Sequence, residues 1–137
     1  MFFQPVVRRT VPARSLPRVF DSLFDESLDR FGGAILIDMH SMPHDALAHL
    51  HGPRPDMVLG NRHGLSAAAR VSDAIVAAVE GEGWRIRRNS PFAGAYICSA
   101  YGRPCQNVHV VQLEIDRSLY MDEKAIAPHA GFDDFAA

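Results

Sequence analysis

Two short stretches hold the side chains best suited to chemistry. The first is Asp38-Met39-His40-Ser41, directly after the apolar run Ala34-Ile35-Leu36-Ile37. A histidine at the end of a buried strand can present a ring nitrogen to a metal ion. A neighbouring carboxylate can ligate the same ion or orient the ring through its other nitrogen. A structural or merely exposed histidine meets the same spacing, so the residues alone leave both readings open. The second stretch centres on Glu114, set among Val110, Val111, Gln112, Leu113 and Ile115. A carboxylate held among apolar neighbours is a good general base. The alternative is a half-exposed strand carboxylate paired with Arg117.

Other side chains offer weaker chemistry. His44, His49, His51 and His63 crowd the segment 42–65 without the i, i+4 spacing of a helical metal pair. Of these, His63 is the first candidate for a site. Tyr96 and Tyr101 flank a glycine-rich stretch and can either donate to an oxyanion or pack. Arg62 and Arg103 can each grip a carboxylate bidentately or stand as surface arginines. Cys98 and Cys105 have no sequence-adjacent histidine and form no CxxC pair, which reads as ordinary thiols in a reducing, cytoplasmic setting.

The elements that must position these groups follow from periodicity. Ser15 caps a helix with Pro17 in its first turn, and Leu16, Val19, Phe20, Leu23, Leu28 and Phe31 form its apolar stripe up to Gly32-Gly33. Residues 34–37 read as a central strand covered on both faces. Residues 42–65 form a long loop with one short strand at Met57-Val58-Leu59. A second helix is expected over Ser66–Glu82, with Ala68, Val71, Ile75, Ala78 and Val79 on one side. A strand follows at Trp84–Arg87, then a loop over Asn89–Gln106. In the strand Val108–Asp116, Val111, Leu113 and Ile115 alternate with Val110, Gln112, Glu114 and Asp116. The tail after Glu123 offers no closing element. The order predicts an α/β fold with parallel or mixed strands, whose sites lie beyond the carboxyl ends of the strands.

Composition bounds the rest. The chain has 137 residues, 47% of them hydrophobic, enough for one core without disulfides. A net charge of −2 argues against an electrostatic nucleic-acid binder. Arg8, Arg9, Arg14 and Arg18 read as a solvated arm, so the expected division is an irregular segment 1–14 and a domain 15–137. No apolar run approaches the roughly 20 residues of a membrane span, and the first residues lack a signal-peptide core.

Four strings taken together are diagnostic: FGGAILIDMHSMP (31–43), DMVLGNRHG (56–64), NSPFAGAYICSAYGRP (89–104) and VHVVQLEIDRSLYMDE (108–123). In order and spacing they resemble the N-formylglutamate amidohydrolase family over residues 28–123. The resemblance implies a mixed sheet sandwiched by helices, as in zinc carboxypeptidases (a phosphorylase/hydrolase-like fold). It implies hydrolysis of the N-formyl amide of N-formylglutamate, or of a related N-acyl amino acid, in histidine breakdown. The histidine of the DMHS block, a zinc ligand in the family, falls on His40, with Asp38 beside it as ligand or orienter. The glutamate of the QLEI block, the general base, falls on Glu114. Three departures stand out. An earlier family half, with a PHSG-like block and further zinc ligands, has no counterpart. A family YH pair falls near Leu16-Pro17. The arginine of a YITRHYG string falls on Ser99, leaving Arg103 as the nearest basic substitute for gripping a substrate carboxylate. The fold is thus expected to be incomplete. The alternative to an enzyme is a non-catalytic half-domain that binds metal or carboxylate and associates with another chain, a second copy included.

Overall fold

The computed structural model describes residues 16–136. Ser15, the segment 1–14 and Arg8, Arg9 and Arg14 lie outside the described residues. The first helix, α1 (Leu16–Phe31), directs Phe20, Phe24 and Leu28 inward at helical spacing and ends at Gly32, whose left-handed backbone (φ 69°) lets its N–H reach Leu28 O at 2.8 Å. The chain turns directly into β1 (Ala34–Met42).

The main sheet has four strands in the order β1-β4-β2-β3, with β2 at Met57–Gly60, β3 at Ile86–Arg88 and β4 at Val108–Asp116. β1 runs parallel to β4 and β3 parallel to β2, while β2 and β4 are antiparallel, so the sheet is mixed. One face packs on α1 and on a six-residue helix, α3 (Tyr96–Tyr101), through Phe24, Ala34, Cys98, Tyr101, Val108 and Val110. The other packs on α2 (Ala69–Gly81) through Leu59, Val76, Val111 and Leu113. Alternation along β4 thus sends Val111, Leu113 and Ile115 to α2, and Gln112, Glu114 and Asp116 to the opposite face.

Several expectations change. Among the described residues β1 is an edge strand, not a central one. Ile35, Ile37 and Met39, on its α2-side face, are 59%, 43% and 58% exposed because α2 covers β4 and stops short of β1. β1 also runs on through His40 to Met42, carried by its pairing with β4. The second helix starts at Ala69 rather than Ser66. The Ser66 hydroxyl donates to Val110 O at 2.8 Å, so it ties the chain to β4 instead of capping a helix. The strand expected at Trp84–Arg87 is displaced to Ile86–Arg88. Its entry is clamped by Asp56, which accepts from the Arg85 backbone N–H and from both Nε and Nη2 of its guanidinium. Burial opposes the Asp56 charge, but these bonds win and hold its carboxyl below the ordinary range. α3 interrupts the expected loop 89–106; six residues are too few to show a helical period. The tail does close. A hairpin, β5 (Met121–Asp122) with β6 (Ala127–Pro128), leads to α4 (Phe132–Ala136), whose Phe135 meets Trp84 edge-on at 5.5 Å. Among the described residues no helix is long and apolar enough to cross a membrane.

Gly60 lets a loop descend onto the sheet. It pairs with Gln112, and a Cβ there would land on Gly94 N and lie 2.6 Å from the Ala93 carbonyl carbon. That contact is backbone, which cannot swing away. Gly60→Ala should therefore cost about 1–3 kcal/mol, measured by urea unfolding, with loop 91–95 displaced.

On the α2 side, His109 is buried, with Nδ1 accepting from Ala68 N–H at 3.3 Å and Nε2 lying 3.1 Å from Asn107 Oδ1 and 3.2 Å from the Arg70 guanidinium. Burial, then the nearby Arg70 guanidinium, lowers its pKa from the usual 6.5. As the pH falls through 6.5 the unfolded chain takes up this proton before the folded one does, so stability present above that pH is lost below it. Unfolding free energy should drop between about pH 8 and about pH 5, and His109→Gln should show a smaller drop.

Candidate active site

The parallel register sets Asp38 opposite Gln112 and His40 opposite Glu114. All four side chains share the face that also carries Val110 and Met42. They form a polar strip between the α1/α3 core at one end and the Met42, Leu47 and Val58 cluster at the other. Gln112 and Glu114 are 4% and 7% exposed, whereas His40 stands open beside them. Buried polar groups persist only when bonded, and here a chain of contacts supplies the bonds. Ala95 N–H donates to Gln112 Oε1 at 2.7 Å, and Gln112 Nε2 donates to Glu114 Oε1 at 2.5 Å. His40 Nδ1 lies 4.0 Å from that same Oε1, and His40 Nε2 lies 3.1 Å from Asp38 Oδ2.

The His40 ring stands between the two carboxylates, with Nε2 toward Asp38 and Nδ1 toward Glu114. Glu114 does not use Arg117, whose guanidinium donates instead to Ser41 Oγ at 3.1 Å and Ser41 O at 3.3 Å.

A second cluster locks the carboxyl end of β4. His44 Nδ1 meets Asp116 Oδ2 at 2.7 Å, Arg54 Nη1 meets His44 Nε2 at 2.6 Å, and Glu123 accepts from the His44 backbone N–H at 3.1 Å. A guanidinium only donates, so Nε2 is the acceptor and Nδ1–H points at Asp116. His44 thus anchors the loop after β1 beside the strip.

The remaining predicted residues fall in different places. Arg62 is half-buried beside loop 91–95, joined to it by its own N–H on Ala93 O at 2.6 Å. Tyr96 is exposed at the start of α3, next to the Ala95 amide that holds Gln112. The structure does not bring the other three to the strip. Tyr101 is buried in an aromatic group with Phe20 and Phe24, at 5.2 and 6.0 Å between ring centroids, and burial pushes its phenol pKa up. His63 is exposed in a left-handed turn (φ 56°). Arg103 bridges to Val108 at the opposite end of β4 from Glu114, about 20 Å along the strand at ~3.3 Å per residue. Cys98 is buried and its thiol pushed up by that burial, while Cys105 is exposed; both are free. Sequence reasoning left Gln112 without a role, although its place two residues before Glu114 on an alternating strand was the available signal.

The donor set does not make a complete zinc site. Among the described residues no three His, Cys, Asp or Glu side chains converge on a point. Residues 1–15 contain none of these types. One imidazole and one carboxylate fall short of the three protein ligands a catalytic zinc takes.

Comparison with known proteins identifies the family. The model of the N-formylglutamate amidohydrolase family matches residues 18–121. The N-formylglutamate deformylase of Pseudomonas aeruginosa is 41% identical over 99 residues, covering 69% of this chain and 36% of that protein. That of Pseudomonas putida is 35% identical over 101 residues, covering 72% and 38%. The crystal structure of N-formylglutamate amidohydrolase from Ralstonia eutropha JMP134 superposes with a TM-score of 0.80 at 28% identity, over 88% of this chain and 45% of that one. The chain therefore belongs to the N-formylglutamate amidohydrolase family, and it spans less than half the length of the relatives it matches.

Proposed function

We propose that this chain carries one side of the active site of a zinc-dependent amidohydrolase. The substrate is N-formylglutamate or a closely related N-acyl amino acid, cleaved to the acid, formate for the formyl group, and the free amino acid. The carrying observation is the in-register pairing of His40 with Glu114, with Asp38 behind the ring and Gln112 behind the carboxylate. In this reading Glu114 takes a proton from a water molecule as its oxygen adds to the formyl carbon. Glu114 returns that proton to the amide nitrogen as the C–N bond breaks. Arg62 and Tyr96, flanking the loop above the strip, are the substrate-binding side chains. The same reading carries a place in histidine breakdown and a cytoplasmic setting, for which the two free thiols speak. His40 would be one zinc ligand, with Asp38 beside it as a second or as its orienter, and among the described residues the donor set falls short of the three protein ligands a catalytic zinc takes.

A second reading follows from the same shortage: a half-domain that associates with another chain. The edge position of β1 among the described residues and the exposed Ile35, Ile37 and Met39 favour it. An unpaired strand edge is a template for pairing. Full burial of each such side chain is worth about 1.5–3 kcal/mol, so even partial covering of the stripe is worth having.

Two outcomes are expected. In an enzyme that releases formate from N-formylglutamate, Glu114→Gln should lower turnover by about 10²–10⁴-fold while leaving bound zinc unchanged, measured by formate release and metal analysis. Retained turnover would remove Glu114 from its role. For the second reading, sedimentation should show the purified chain self-associating or binding a polypeptide that spans the family's remaining length, and Ile37→Asp should weaken that association. A monomer indifferent to both would end it.

A further inference from the structure

We propose that Gln112 is a positioning residue that decides which oxygen of Glu114 handles the proton. The inference rests on Glu114 acting as base, as argued above. The Ala95 backbone N–H can only donate, so the Gln112 atom facing it at 2.7 Å must be the carbonyl oxygen Oε1. The side-chain amide therefore has one orientation, and its NH₂ faces Glu114. That group in turn needs an acceptor, which occupies Glu114 Oε1 with an incoming hydrogen bond. Oε1 is also the oxygen nearest His40 Nδ1. Among the described residues Oε2 has no such donor, which leaves it as the oxygen to meet a water molecule.

The division of labour follows. Oε1 already accepts from Gln112, so a proton placed there would weaken that bond, which favours Oε2 as the oxygen that takes it. Oε2 breaks a water O–H bond by accepting its proton, and later delivers that proton to the leaving amine nitrogen. The carboxylate ends the cycle unchanged. Gln112 also links the base to loop 91–95, which Gly60 allows onto the sheet, so movement of that loop is felt at Glu114 through two hydrogen bonds.

Two variants separate positioning from mere anchoring of the loop. Gln112→Met keeps the length of the side chain and loses both bonds. Gln112→Glu keeps an acceptor for Ala95 but sets an acceptor against Glu114. In the formate-releasing enzyme both should lower kcat by on the order of tenfold or more, with KM within about twofold and zinc content unchanged. Unchanged kcat in a folded Gln112→Met protein, or full recovery in Gln112→Glu, would overturn the proposal. If the wild-type protein releases no formate, the enzymatic reading fails by itself. The contact is then judged in the wild-type chain by ¹⁵N NMR. The Gln112 side-chain amide protons should exchange slowly with solvent, and their resonances should move on Glu114→Ala. Exchange at the rate of a free amide would overturn the contact.

Discussion

The parallel pairing of β1 with β4 is the constraint on which the site depends. Neither strand carries a site alone. Asp38 and His40 belong to one, Gln112 and Glu114 to the other, and they meet because the backbone ladder sets residue 40 level with residue 114. A slip of one residue would send the even-numbered residues of one strand to the opposite face. The apolar alternation prevents this. Leu36 and Ala34 pack with Val108 and Val110 under α1, while Val111 and Leu113 pack under α2. The hydrophobic pattern thus fixes the register, and the register aligns the polar groups.

The polar strip survives because its members satisfy one another. A buried glutamine and a buried glutamate would each be costly unpaired. Here the backbone amide of Ala95 starts a chain of hydrogen bonds that ends on the carboxylate. On the other side Asp38 Oδ2 lies 3.1 Å from His40 Nε2. The outcome is an imidazole and a carboxylate side by side on one face of the sheet, 4.0 Å apart.

Among the described residues the strand that carries His40 is the edge strand of the sheet, and it bears an exposed apolar stripe of Ile35, Ile37 and Met39 on the face opposite His40. The polar strip therefore lies at the margin of the sheet, and the chain spans 36% to 45% of the length of its relatives.

Much of this was legible in the residues. Alternation in 108–116 gave Glu114 its face, the glycine pair at 32–33 ended α1, and the DMHS and QLEI strings named the family. An apolar run such as Ala34–Ile37 states that a strand prefers burial but not whether a neighbour arrives to bury it, so β1 read as central and lies at an edge. Tyr101 and Arg103 have residue types suited to a site, yet packing against Phe20 and Phe24 claims one, and the far end of β4 holds the other. Local periodicity depends on each residue's near neighbours, and the sequence therefore determined the elements and their faces. Which polar groups meet depends on contacts between residues about 75 positions apart, and only strand register and the descent of loop 91–95 decided that.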